Sequence, residues 1–343
     1  MQQPKLGLAS QFNPLPILTR AHALVAHPVV HGALAGFLVL AVANSRLRAE
    51  PLQRPAPPPP SAPAFRIATF NVENYLVRPA PGRKPKPESS RAHVARLIVE
   101  SRADVVALQE VGDNDALRDL QRRLGGMGFP LPHAEIARGH DTNICVAVLS
   151  RFPFLHRRQY TNEVFLLDGR RLRSSRAFAE VSFSPTPSHR VILLVAHLKS
   201  KRAVGLAAES EMREQEALLL REKADALLRA DPDANLVVCG DFNDTPDSPA
   251  LRALVGRGIM ALIDTRPAEP IDGGASPSAT KRSITWTHHF AREDTYTRID
   301  YLLVSRGLAR EWRREDTRIH ATPDWGLASD HRLLVVGFDS PDR

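Results

Sequence analysis

Short apolar runs that end on a polar residue recur along this chain, and they mark it as a sheet protein. Residues 65–71, 104–110, 144–149, 177–183, 191–196 and 236–239 each have the length of one buried strand and fall short of a helix. Three further strands are predicted at 284–287, 298–304 and 333–338. Helical spacing of apolar residues appears at 90–101, with Ser89 or Ser90 as cap, and at 113–124, closed by Gly125-Gly126. A long amphipathic helix is predicted over 209–229, and a short one at 248–255. An arginine-heavy stretch, 157–176, carries a turn at Asp168-Gly169. Strands outnumber helices without a regular βαβ repeat. The pattern predicts an α/β chain with two packed sheets and helices outside them.

The N-terminal part reads differently. Residues 21–43 carry no formal charge and end in a strongly apolar run, long enough to cross a bilayer. His22, His27, His31 and Pro28 interrupt its first half, and Ala41-Val42-Ala43 has the small residues of a signal cleavage site. Residues 1–50 are therefore read as a targeting or anchor segment giving possible membrane association through 21–43. The expected location is exported or membrane-anchored, and cytoplasmic if that segment is not functional. Residues 51–63 are proline-rich and read as an extended spacer. The catalytic unit is expected over 64–343.

Composition changes this picture little. The formal net charge of +8 favours a polyanionic partner through long-range attraction. Two cysteines, Cys145 and Cys239, sit in strand-like runs and read as buried thiols, with a disulfide between neighbouring strands as the alternative. No metal-thiolate spacing occurs. His288-His289 lacks partners at metal spacing and is read as structural.

Chemistry gathers at the strand ends. Gly240 closes the 236–239 run, and Asp241 and Asn243 follow two residues apart, on one side of an extended backbone. An Asp/Asn-rich turn capping a strand is the plain alternative. The surrounding motifs decide against it. Thr69-Phe70-Asn71-Val72-Glu73-Asn74, Leu108-Gln109-Glu110, His197-Leu198, Gly240-Asp241-Phe242-Asn243, Arg298-Ile299-Asp300-Tyr301 and Ser329-Asp330-His331 occur in that order. Together they resemble the endonuclease/exonuclease/phosphatase superfamily, whose fold is that of deoxyribonuclease I. The opening motif and His197-Leu198-Lys199-Ser200-Lys201 look most like its secreted or cell-surface bacterial nucleases.

The resemblance implies a four-layer α/β-sandwich and a metal-dependent phosphodiesterase, foremost a non-specific nuclease acting on DNA or RNA. It implies Mg²⁺, with Mn²⁺ as a substitute, held by Glu110 with Asn71 beside it and Asp330 as a further ligand. Glu73 is a weaker candidate in the same shell. His331 is the expected partner of Asp300, and His331 or Asp241 the expected base. His197 and Asn243 are expected to donate to phosphoryl oxygens. Asn143, Arg138 and Lys199 are expected on the substrate side, with Arg157, Arg158, Arg170, Arg171 and Arg173 as a wider backbone-binding track. Two rivals stand beside the nuclease: the same machinery on a phospholipid or small phosphodiester, and a silent nucleic-acid or partner-binding module. Oligomeric state is not readable from the sequence.

Overall fold

The structure is a computed structural model that describes residues 64–203, 205–269 and 284–341. It starts on β1 (Ala64–Tyr75), passes through α1 (Glu88–Ser101) to β2 (Val105–Val111), and through α2 (Asn114–Gly126) to β3 (His133–Ala137) and β4 (Cys145–Ser150). Next come β5 (Phe154–Tyr160), the hairpin β6 (Val164–Leu167) and β7 (Arg170–Arg173), then β8 (Phe178–Thr186) and β9 (His189–His197). α3 (Glu209–Ala230) leads into β10 (Asn235–Asp241), α4 (Pro249–Val255) and β11 (Ile263–Asp264). The hairpin β12 (His288–Phe290) and β13 (Thr295–Thr297) precedes β14 (Asp300–Val304), α5 (Arg306–Ala309), β15 (Trp312–His320) and β16 (Leu333–Asp339).

Two six-stranded sheets result, in the orders β15-β16-β1-β2-β4-β3 and β11-β14-β10-β9-β8-β5. Each is built the same way at its centre. β1 and β2 run parallel and are flanked by antiparallel β16 and β4. β9 and β10 run parallel and are flanked by antiparallel β8 and β14. The two parallel pairs therefore end, and β14 and β16 begin, at the same end of their sheets. This places six strand termini around one mouth.

Side-chain alternation makes the layers. Ile67, Val105, Val146 and Val148 point inward from the first sheet to meet Val181, Leu193, Val195, Val237 and Leu302 from the second. Their neighbours Ala68, Val106, Ala147 and Leu149 point outward under Leu97, Ile98, Leu117 and Leu120 of α1 and α2. On the other side Leu194, Leu236, Val238 and Leu303 lie under Leu220, Ala224, Leu251 and Leu254 of α3 and α4. Helix, sheet, sheet and helix form the α/β-sandwich expected from the strand pattern.

Local signals explain most boundaries. Asp113 caps α2, its side chain accepting from the Ala116 N–H at 2.8 Å, and Ser248 caps α4 from Leu251 at 3.2 Å. α1 begins after Pro87 and not at a serine cap, and α2 ends on Gly126, within the expected Gly125-Gly126 stop. The run 284–287 is not a strand; pairing begins at His288. Cys145 and Cys239 are both free and buried, so the disulfide alternative does not hold.

The expected export or membrane anchoring needs correction. Among the described residues no helix is long and apolar enough to cross a membrane. The stretch 21–43 and the spacer 51–63, on which that expectation rested, lie outside the described residues.

Candidate active site

The mouth is lined by the ends of the two parallel pairs. From β1 and β2 come Asn71 and Glu110; from β9 and β10 come His197 and Asp241; Asp300 opens β14, and Asp330 and His331 precede β16. Backbone geometry helps aim them. Glu110 has φ 66° and Asn243 φ 56°, both in the left-handed region that only a supported side chain tolerates. Register breaks in both ladders around β2, between Asn71 and Tyr75 and between Leu108 and Val111, coincide with the turn at Glu110. Gly240 has φ 140°, and a Cβ there would sit 1.9 Å from the Ala196 carbonyl oxygen, so only glycine lets β10 lie this close to β9.

Asp241 is the hub. Its Oδ2 accepts from Asn71 Nδ2 at 3.0 Å, lies 3.3 Å from His197 Nε2 and 3.8 Å from His331 Nε2. Its Oδ1 accepts from the Asn243 N–H at 2.9 Å. His331 turns its Nδ1 to Asp300 at 2.9 Å, which leaves Nε2 facing Asp241 and Asn71. Asp241, Asp300, His197 and His331 are all buried.

Burial and charge set the protonation states. Burial, then the positive charge of Arg176 and His331, holds His197 well below its ordinary range, as a neutral imidazole. Burial pushes the Asp241 carboxyl up to about 7 against the pull of His331. For His331 burial acts downward, but the Asp300 and Asp241 carboxylates outweigh it and push the imidazole up to about 10. Asp241 and His331 thus titrate as one unit that holds a proton at neutral pH.

A second group of carboxylates lies at the outer lip. Glu110 Oε2 accepts from the Asn74 N–H at 2.9 Å. Burial, followed by the charge of Asp330, raises the Glu73 carboxyl, with Glu110 adding to the effect and Lys86 opposing it. Asp330 is also drawn into a His/Asp cluster: His288, Asp330 and His331 bring ligand atoms within 4.8 Å of one another, as do Asp241, Asp300 and His331. Both clusters are capable of coordinating a divalent metal ion.

Other expected residues are placed less centrally. Asn243 uses its side-chain amide on the Leu198 carbonyl at 3.1 Å. Lys199 is buried and its ammonium donates to the carbonyls of Ser200 and Arg202, away from the mouth. Asn143 and Arg138 share a cavity of about 340 Å³ with Arg78, Gly112 and Thr142, two residues beyond Glu110 in β2. Arg157 and Arg158 lie on the edge strand β5, stacked over Phe154 and Tyr160.

Several supporting residues were not read as members of the site in the sequence, most of them because they act across long separations. Thr287 donates to Asp300 Oδ2 at 2.6 Å and accepts the N–H groups of Ile299 and Asp300, fixing the carboxylate that orients His331. Ser329 bridges the Asn71 carbonyl and the His331 N–H. Arg176 donates to the Leu198 carbonyl at 3.0 Å, and buried Glu216 of α3 receives the N–H of Lys199 and of Ser175. His288, read as structural, faces His331 across a β-bridge, their rings 4.5 Å apart.

Solved structures with this architecture include the human Nocturnin catalytic domain with bound sulfate, at TM-score 0.56 and 17% identity, covering 82% of this chain and 96% of that one. A truncated TDP2 from Caenorhabditis elegans matches at TM-score 0.54 and 17% identity, over 80% of this chain and 97% of that one. Sphingomyelinase C from Streptomyces griseocarneus matches at TM-score 0.52 and 21% identity, over 81% and 100%. At such identities the likeness is one of fold. No curated protein matches the chain. The metal-capable clusters and the matched family together support a metal-dependent hydrolase of the endonuclease/exonuclease type. The Endonuclease/Exonuclease/phosphatase family matches residues 68–331, from the first strand to the last site histidine, and the chain belongs to that family.

Proposed function

We propose that this chain is a Mg²⁺-dependent nuclease that hydrolyses nucleic-acid phosphodiester bonds without reading sequence. The observation that carries the reading is the connected set Asp300–His331–Asp241–His197, buried at one mouth and bordered by Glu73, Glu110 and Asp330. The outer donor set fits a hard cation. All three groups are carboxylates; burial first, and then the charge of Asp330, raises Glu73, and a dication bound there would offset both. Glu110 and Asp330 would hold the ion, with Asn71 beside them; when bound, it supplies charge for the phosphoryl oxygens.

The protein's own groups then divide the work. The Asp241–His331 pair takes the attacking water's proton, and a carboxyl held near 7 suits that task at neutral pH. Asp300 fixes the His331 ring and stabilises its charge, in the manner of the carboxylate of a hydrolytic triad. Neutral His197 donates to a phosphoryl oxygen as charge builds on it.

Nucleic acid as substrate is favoured by the net charge of +8 and by the β6–β7 hairpin. That hairpin carries Arg170, Arg171 and Arg173 and runs into Arg176, which contacts the backbone beside His197. Exposed arginines such as Arg170, Arg171 and Arg173 would position a phosphate backbone without specifying sequence. We read the opening motif and the His197–Lys201 run as favouring a likeness to the bacterial nucleases of the family.

The test is a substrate panel. Supercoiled plasmid, single-stranded DNA, RNA, choline phospholipid and bis-(p-nitrophenyl) phosphate are each incubated with Mg²⁺, Mn²⁺ or EDTA. The expected result is metal-dependent cutting of nucleic acid, abolished by EDTA and absent from an Asp241→Asn/His331→Ala variant. Hydrolysis of phospholipid with inert nucleic acids would overturn the substrate and keep the chemistry.

A further inference from the structure

The cluster His288–Asp330–His331 is chemically unlike the carboxylate lip. Its donors are two imidazoles and one carboxylate. His288 Nε2 lies 3.7 Å from Asp330 Oδ2, and His331 Nε2 lies 3.9 Å from Asp330 Oδ1. A tetrahedral ion with bonds of about 2 Å needs ligand atoms about 3.3 Å apart. One ligand atom from each residue lies within 4.8 Å of the others, and the two histidines face different oxygens of Asp330, so the carboxylate must turn to bring one oxygen to both. Asp330, whose side chain is 42% exposed, has the freedom to make that adjustment.

The backbone fixes the two histidines. The His289 N–H donates to the Asp330 carbonyl at 3.0 Å, and the Arg332 N–H to the Thr287 carbonyl at 2.7 Å, on either side of the His288–His331 bridge. His331 presents Nε2 because Nδ1 is bonded to Asp300, the carboxylate–histidine arrangement that orients a metal ligand. The other cluster, Asp241, Asp300 and His331, is fully buried, and its carboxylates are engaged by Asn71, Asn243 and Thr287.

We propose that His288, Asp330 and His331 form an inhibitory site for Zn²⁺ or a similar borderline cation, sharing only Asp330 with the carboxylate site. Mg²⁺ prefers oxygen ligands and keeps its waters, so two imidazoles suit it poorly. Zn²⁺ takes nitrogen and oxygen together and leaves a fourth position for water. The carboxylates of Asp241 and Asp300 behind His331 favour a dication there, which replaces the proton on Nε2. That occupancy removes His331 from the Asp241 pair and draws Asp330 from the lip. Inhibition follows, and it rests on the reading of His331 as part of the reaction centre.

The experiment uses the full chain with saturating Mg²⁺ and bis-(p-nitrophenyl) phosphate, titrated with Zn²⁺. Wild type is expected to lose activity, and His288→Gln to move the inhibition midpoint up by about tenfold or more while Mg²⁺-supported turnover stays within about threefold. His288→Cys, which keeps a zinc ligand, is expected to retain inhibition. Co²⁺ added without Mg²⁺ gives a visible absorption band in wild type that His288→Gln loses. An unchanged Zn²⁺ midpoint in His288→Gln, or no band in wild type, overturns the site. If no substrate is hydrolysed under any condition, the nuclease reading fails, and the Co²⁺ band still decides whether the site exists.

Discussion

β9 and β16 each carry a buried histidine environment at both ends, and the two ends differ in what surrounds it. At the far end His189 opens β9 and meets Glu311 at 2.6 Å and Ser340, just past β16, at 2.9 Å. At the mouth His331 precedes β16 and meets Asp300 at 2.9 Å, with Asp241 and Asp330 also in reach. Roughly 25 Å of strand separates them. The far end has one carboxylate for one imidazole and is sealed, with His189, Glu311 and Ser340 all buried. At the mouth carboxylates outnumber cations, and Glu73 and Asp330 remain open to solvent at 44% and 42%. A buried His–carboxylate pair is therefore no sign of catalysis by itself. The unbalanced charge around it, open to a ligand, is what separates a site from a staple.

The largest effect that would break this contrast is loss of the mouth pair. His331→Gln and Asp241→Asn are each expected to lower turnover with Mg²⁺ by about a thousandfold or more, with a folded far-ultraviolet spectrum retained. The double variant should fall little below either single one, because groups acting as a unit are not additive. Steady-state hydrolysis of bis-(p-nitrophenyl) phosphate checks this. A loss of tenfold or less in both would mean that the buried pair is structural, like its counterpart.

The converse change tests the staple. His189→Ala leaves the Glu311 carboxylate buried without its imidazole, which should cost about 3 kcal/mol. The thermal midpoint should drop by roughly 10 °C. Turnover per folded molecule should stay within about twofold, since His189 lies at the opposite end of β9 from His197. A matching fall in turnover would show that the two ends are coupled through the strands.

How much of this was legible depended on what each residue has to satisfy. Asn71, Glu110, Asp241, Asp300 and His331 were visible because each is a polar residue beside an apolar run and falls in a short motif that resembles the family's. β6 and β7 were visible in outline from Asp168-Gly169, which take φ 50° and 70° as a tight hairpin turn requires. Not visible were β3, β5 and β15, whose edge or near-edge positions leave polar residues exposed and blur the alternation. Lys199 misled for a related reason: a lysine beside a site histidine looks like a substrate contact, and only the fold shows its ammonium on two carbonyls. Thr287, His288 and Glu216 owe their roles to partners that no local pattern encodes.

The smallest expected effect sharpens the contrast from the opposite side, where a carboxylate is outnumbered by donors. Asp119 of α2 receives the Tyr75 hydroxyl at 2.9 Å, Arg91 at 2.9 Å and Arg123 at 2.8 Å. Burial acts upward on it, but hydrogen bonds from Arg123 and Tyr75 prevail and hold the carboxyl down, at about 2. An unfolded aspartate titrates near 3.9, so this group stabilises the fold above about pH 4, and the contribution is lost as pH falls through about 2. The full contribution is about 2.5 kcal/mol at about pH 6, with about half remaining at about pH 3. Urea unfolding of wild type and Asp119→Asn at those two pH values checks the sign: the stability gap between them should narrow on acidification. A gap that stays constant or widens would show that the charge on Asp119 contributes nothing, and that the helices are held by their apolar faces alone.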